Sequence, residues 1–116
     1  MTTTPRLHDL EVHLPAHPHA LAALTEALGR AGVSLEGGGA FGTTAHYLVA
    51  DGPRALRAAT ATGLGPARLN EVTMTRVDQS RPGRLGPLLR ELADQGVHVR
   101  TQYSDHAGNL VLVTGG

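Results

Sequence analysis

The sequence predicts an α+β fold in which a βαββαβ unit is followed by a partial βαββ copy of itself. The first observation is the order of helix-type and strand-type patterns along the chain. The second is an internal repeat, because residues 18–35 align without a gap with residues 82–99, with Pro18 on Pro82 and Gly32 on Gly96. The third is a composition of 41% hydrophobic and 17% charged residues, which is typical of a globular domain. Such a unit forms an antiparallel sheet with both helices on one face.

The first strand is predicted over residues 8–14, where apolar and polar residues alternate. Asp9 and Glu11 share the polar face of this strand, and we expect acids of this kind on an edge strand to be solvated. No paired-carboxylate or serine-nucleophile motif is present.

A proline-held loop leads from this strand into a helix that ends near Ala31. The helix is expected to bury a stripe of leucines, Leu21, Leu24 and Leu28. The elements that follow are predicted as a hairpin of residues 33–40 and 44–50 and an alanine-rich helix over residues 53–62.

The second copy is predicted to begin on one long strand, residues 69–78, that both copies share. A helix follows Pro82, and then a hairpin of residues 97–103 and 110–113. This gives a first unit over residues 1–70 and a second unit over residues 71–116 that lacks the final helix and strand. Because an incomplete copy leaves an unpaired strand edge, we expect a homodimer.

These patterns resemble the ACT domain family, specifically small stand-alone proteins with tandem ACT domains. The second copy has Arg81-Pro82-Gly83 before its helix and Gln95-Gly96-Val97 after it. The first copy has His17-Pro18-His19 and Ala31-Gly32-Val33 at the same places, and the run from Ala45 to Asp51 is similar to the third strand of such proteins. The resemblance covers nearly the whole chain from Leu7 onward. It implies a ferredoxin-like ACT fold and a regulatory or sensor protein that binds an amino acid or a related carboxylated metabolite.

In this family the ligand contacts the strand-to-helix loop and the second strand, at the interface between paired units. A helix N-terminus offers N–H groups and a positive dipole end to a carboxylate. His19 stands where the family has glycine, so the loop of the second copy, with Gly83, is the better candidate pocket. The ligand-binding residues that the resemblance implies are His17, His19, Gly39, Phe41, His46, Arg81, Gly83 and Tyr103.

The histidines leave two alternatives open. No metal or cofactor is expected under the sensor hypothesis, but His13, His17 and His19 lie in one strand-end loop and are the alternative site for a divalent transition metal. The second alternative is a small biosynthetic enzyme on the same scaffold, with His19 and His46 as the catalytic residues at the cleft between the units. The sequence does not decide whether the chain is catalytic, and it favours a binding protein.

Composition excludes several other classes. The formal net charge is zero, which is unlike a general nucleic-acid binder. The chain has no cysteine, so thiolate nucleophiles, disulfides and zinc–thiolate sites are impossible. No apolar run reaches membrane-spanning length, and the first six residues form a short polar arm unlike a signal peptide, so a cytoplasmic location is expected.

Overall fold

The computed structural model describes residues 6–78 and 80–115. Its contacts divide the chain into two compact units, Met1–Glu71 and Val72–Gly116. The predicted polar arm lies, except for Arg6, outside the described residues, as do Gln79 and Gly116.

The elements follow the predicted order, and all strand pairs are antiparallel. The first unit contains β1 (His8–His13), α1 (Ala20–Arg30), β2 (Leu35–Phe41), β3 (Thr44–Val49), α2 (Gly52–Ala61) and β4 (Ala67–Glu71), with sheet order β2-β3-β1-β4. The second unit contains β5 (Thr73–Arg76), α3 (Leu85–Asp94), β6 (Val99–Ser104) and β7 (Asn109–Thr114), with sheet order β5-β7-β6. The α+β fold class is therefore confirmed.

The core of the first unit lies between its sheet and its two helices. The buried residues of β1 that join this core are Leu10 and Val12, which alternate with the polar residues of the same strand. The helix α2 contributes only alanines, Ala55 and Ala59, to the fully buried set, and such small side chains let a helix approach the sheet closely.

The stripe that α1 buries differs from the predicted one. Ala20, Leu24 and Leu28 are fully buried, whereas Leu21 is 37% exposed. Leu21 is seven residues before Leu28 and lies on nearly the same side of the helix, so the helix face alone does not account for its exposure. The buried stripe follows the i, i+4, i+8 line, and the predicted burial of Leu21 is wrong.

The strand β1 lies in the interior of its sheet, paired on one side with β3 and on the other with β4. Asp9 and Glu11 are both buried, so the expectation of two solvated acids on an edge strand is wrong. A polar residue on an interior strand has neighbours on two sides. Here those neighbours include His46 on β3 and Arg68 and Asn70 on β4.

The single long strand predicted over residues 69–78 is two strands. The first, β4, ends at Glu71 and pairs with β1, whereas β5 begins at Thr73 and pairs with β7. Val72 separates them, and the chain passes from one sheet to the other at this residue.

The repeated helices α1 and α3 end in the same way. Gly32 and Gly96 have φ angles of +74° and +79°, and the N–H groups of Val33 and Val97 bond back to the carbonyls of Leu28 and Leu92. This is the Schellman arrangement, which favours glycine because an L side chain is strained at positive φ. No helix in the described part of the chain is long and apolar enough to cross a bilayer.

Candidate functional site

A cluster of polar side chains lies on the face of the first sheet that points away from the two helices. Leu10 and Val12 of β1 join the core under the helices. The side chains of Asp9 and Glu11 point to the opposite face, because successive side chains of a strand alternate. The strand register places His46 of β3 directly opposite Glu11.

The strand β4 completes this cluster from the other side of β1. Asn70 pairs with Asp9 in the register, and Arg68 pairs with Glu11. We call Asp9, Glu11, His46 and Asn70 the buried polar cluster, since each has a relative exposure below 9%.

Hydrogen bonds join the members of the buried polar cluster directly. The Nδ1 atom of His46 donates to Oδ2 of Asp9 at 2.9 Å, and the side-chain amide of Asn70 donates to the same oxygen at 2.9 Å. The Asn70 amide also donates to Oε1 of Glu11 at 3.0 Å. One amide thus holds both carboxylates, and the Asp9 carboxylate fixes which ring nitrogen of His46 carries the proton.

Glu11 has two further partners at the rim of the cluster. Nη2 of Arg68 donates to Oε1 of Glu11 at 3.3 Å, and Nε2 of His13 donates to Oε2 at 2.7 Å. Burial of Glu11 raises its pKa, but the hydrogen bonds from Asn70, His13 and Arg68, with the charge of Arg68, outweigh burial and lower the pKa to about 2. The carboxylate of Glu11 therefore stays ionised throughout the physiological range.

The buried polar cluster includes three groups that can ligate a metal. One potential ligand atom each from Asp9, Glu11 and His46 lies within 4.8 Å of the other two. Among the described residues, the alternative set of His13, His17 and His19 does not form such a group. His13 instead contacts Glu11, and the ring of His17 accepts a hydrogen bond from the backbone of His19 at 3.3 Å.

A groove of about 480 Å³ leads from the surface to the rim of the cluster. Its walls are the side chains of Glu11, His13, Pro66, Ala67 and Arg68. The side chains of His13 and Arg68 are more than half exposed, whereas that of Glu11 is 7% exposed. The groove therefore brings solvent to a carboxylate that is otherwise enclosed.

Three of the predicted ligand residues of the first unit come together beside the cluster. Gly39 lies directly opposite His46 in the sheet, and the ring of Phe41 lies 6.2 Å from the His46 ring. Phe41 is 55% exposed, so a largely exposed ring stands next to a buried imidazole. His17 and His19 are exposed in the loop before α1.

The predicted residues of the second unit are Arg81, Gly83 and Tyr103. Arg81 and Gly83 are exposed in the loop before α3, and Gly83 has a φ of +83° with open space where a Cβ would lie. Tyr103 lies on β6 and is buried.

The helix that follows each repeated loop begins without a side-chain cap. The N-cap residues are His19 for α1 and Arg84 for α3, and neither side chain bonds to the helix. In contrast, Oδ1 of Asp51 accepts a hydrogen bond from the N–H of Arg54 at the start of α2. In α2 a carboxylate of the cap residue accepts a hydrogen bond from a first-turn N–H group. In α1 and α3 no cap side chain accepts such a bond.

Sequence reasoning missed Asn70 and Arg68 and expected Asp9 and Glu11 to be solvated. A signal was present, because Asp9-x-Glu11 and Arg68-x-Asn70 each place two polar residues on one face of a strand. Two polar faces in strands that prove to be neighbours indicate a shared polar cluster. The pairing of β1 with β4 was needed to see it, and that pairing joins residues far apart in the chain.

No protein-family model and no curated protein sequence matches this chain. Solved structures with a similar fold do match it. The regulatory subunit of aspartate kinase from Thermus thermophilus, in its ligand-free form, is 14% identical with a TM-score of 0.73, over 95% of this chain and 82% of that one. The corresponding subunit from Thermus flavus is 15% identical with a TM-score of 0.71, over 94% and 82% of the two chains. A protein of Bacteroides thetaiotaomicron is 19% identical with a TM-score of 0.66, over 96% and 79%. The chain has the ferredoxin-like ACT fold that its sequence predicts.

Proposed function

We propose that the protein is an ACT-type regulatory or sensor protein that binds an amino acid or a related carboxylated metabolite. The observation that carries the proposal is the likeness of nearly the whole chain to regulatory subunits of aspartate kinase. A cytoplasmic location is part of the same proposal.

The start of α3 is the best place for the carboxylate of this ligand. Its first turn has no side-chain cap, so its N–H groups and the positive end of its dipole suit an anion. The exposed Arg81 is near in sequence and offers a bidentate partner to a carboxylate. The open space beside Gly83 allows a ligand to approach the backbone.

The corresponding region of the first unit is a second candidate for ligand contacts. The start of α1 also lacks a side-chain cap, and His17 and His19 stand before it. The group of Gly39, Phe41 and His46 offers a ring face and an open backbone on the neighbouring strands. We propose that Tyr103 contributes to the pocket of the second unit.

Calorimetric titration with each protein amino acid and with small dicarboxylic acids tests the proposal. A ligand should be found that binds with measurable heat and raises the melting temperature. Arg81→Ala should then weaken binding by about 1.5–3 kcal/mol, the usual range for a hydrogen bond to a charged group. Arg90→Ala, which removes an exposed arginine from the body of α3, is the matched control and should leave binding unchanged.

Two results would count against this proposal. Failure of every carboxylated ligand would reject the sensor function itself. Binding that Arg81→Ala leaves intact would reject the loop of the second unit and direct attention to Gly39, Phe41 and His46.

We also propose that the protein is a homodimer. The strand β2 is at one edge of its sheet and carries three consecutive glycines, Gly37 to Gly39, without proline or lysine to block pairing. Sedimentation equilibrium should show a dimer at micromolar concentration. A monomer throughout that range would contradict the proposal.

A further inference from the structure

The buried polar cluster has the composition of a metal site. Asp9 and Glu11 offer carboxylate oxygens, and His46 offers an imidazole nitrogen, all from residues that are at most 8% exposed. Mixed oxygen and nitrogen ligands are typical of zinc and of neighbouring first-row transition metals, whereas magnesium and calcium prefer oxygen alone.

The spacing of the ligand atoms is close to that around an ion. Two ligands that are each about 2.1 Å from a tetrahedral zinc ion lie about 3.4 Å apart. Nδ1 of His46 and Oδ2 of Asp9 are 2.9 Å apart, so these atoms must separate by about 0.5 Å for an ion to replace the proton of their hydrogen bond. The Glu11 ligand atom lies within 4.8 Å of both.

The strand pairing holds these groups in place before any ion arrives. Asp9 and Glu11 are on a strand with a neighbour on each side, and His46 is directly opposite Glu11. The Asn70 amide bonds to both carboxylates, which is the kind of outer contact that orients ligands around a metal. Little conformational entropy would be lost on binding.

An entry path to the three ligands is also present. The groove beside β1 and β4 ends at Glu11, and the ring of His13 stands in its wall, 2.7 Å from Oε2 of Glu11. His13 therefore stands between solvent and the Glu11 carboxylate. Arg68 opposes a cation here, but its side chain is 56% exposed and can turn toward water.

We propose that Asp9, Glu11 and His46 bind a divalent transition-metal ion of the zinc type, with His13 at the mouth of the groove. This site differs from the loop set of His13, His17 and His19, and it is independent of the carboxylate site proposed at α3.

Zinc titration of chelator-treated protein, followed by calorimetry, tests this site. Wild-type protein should bind one Zn²⁺ per chain, and Co²⁺ should give the visible absorption of a protein-bound ion. Mg²⁺ should bind far more weakly. The variants Asp9→Asn and His46→Gln should each weaken Zn²⁺ binding at least about tenfold. Their folding is checked by circular dichroism.

Two further variants keep the test decisive if the buried variants fail to fold. Arg68→Gln removes a half-exposed positive charge beside Glu11 and should tighten Zn²⁺ binding several-fold. The double variant His17→Gln and His19→Gln should bind Zn²⁺ as the wild type does. Wild-type protein that binds no Zn²⁺, or binding that is lost in the His17 and His19 variant and unaffected by Arg68→Gln, would overturn the proposal.

Discussion

The two units use the same helix sequence pattern to different effect. In the first unit, α1 lies beside α2 over a four-stranded sheet, and Ala20, Leu24 and Leu28 are fully buried. In the second unit, α3 is the helix that accompanies a three-stranded sheet, and none of its residues is buried. Leu88 and Leu92, which match Leu24 and Leu28 in the repeat, are half-buried. A repeated pattern therefore predicts the same helix, but the number of neighbouring elements decides how much of it is buried.

The largest effect should come from truncating the matched leucines. Leu24→Ala removes a fully buried side chain and should lower the free energy of unfolding by about 2–5 kcal/mol. Leu88→Ala, at the corresponding place in α3, should cost about 1 kcal/mol, because water already reaches that side chain. Urea unfolding of the two variants compares them, and equal losses would show that the two helices are packed alike.

The next effect concerns the pH dependence that two carboxylates confer. The pKa of Glu11 is about 2 in the folded protein against 4.5 for an unperturbed glutamate, so folding favours the ionised form. Its contribution is complete above pH 4.5 and is lost as the pH falls toward 2. The shift corresponds to at most about 3 kcal/mol. Glu11→Gln should remove this loss, as measured by urea unfolding at a series of acid pH values.

Asp105 of the second unit is the carboxylate to compare with Glu11, because its pKa is also lowered. Burial raises its pKa, but hydrogen bonds from the side chain and backbone of Asn109 and from the backbone of Ala107 lower the pKa below its usual value. It lies in the turn between β6 and β7, and it lacks the enclosure of Glu11. Asp105→Asn should therefore alter the acid limb of the stability curve less than Glu11→Gln does. A larger effect of Asp105→Asn than of Glu11→Gln would show that burial of the carboxylate does not decide the size of the effect.

The smallest difference should appear at the helix ends. Gly32→Ala and Gly96→Ala each place a side chain at positive φ, and each should cost about 1 kcal/mol. The two losses should be similar, because this strain depends on local backbone geometry and not on the neighbouring elements. Thermal unfolding measures both, and a loss confined to Gly32→Ala would show that packing contributes to the effect.

Local features were predictable from the sequence because they depend on neighbouring residues. The alternation around Leu10, the prolines before the helices and the glycines at Gly32 and Gly96 act within a few positions, and the predicted α+β order is confirmed. The burial of Asp9 and Glu11 depends on which strands flank β1, and composition does not carry that information. The break at Val72 was missed for the same reason, since no proline or glycine marks it.

The candidate site was predictable only in part. His46 was singled out through the family resemblance, and Gly39 and Phe41 do lie beside it. The hydrogen-bond partner of His46 is Asp9, and Asn70 donates to the same Asp9 oxygen. Asp9 and Asn70 come from strands whose pairing with one another depends on the tertiary fold. The loop residues Arg81 and Gly83 remain a prediction that a ligand must test.

The interior position of β1 also sets the order in which the first unit can assemble. His8 pairs with Val49 on one side and with Glu71 on the other, so the second pairing closes a longer loop. Closing a longer loop costs more chain entropy before its contacts form, so longer loops close later. During synthesis, β1 cannot gain its second neighbour until β4 has left the ribosome. The carboxylates of Asp9 and Glu11 therefore stay hydrated until that last strand docks, and we expect their desolvation to fall late on the folding pathway.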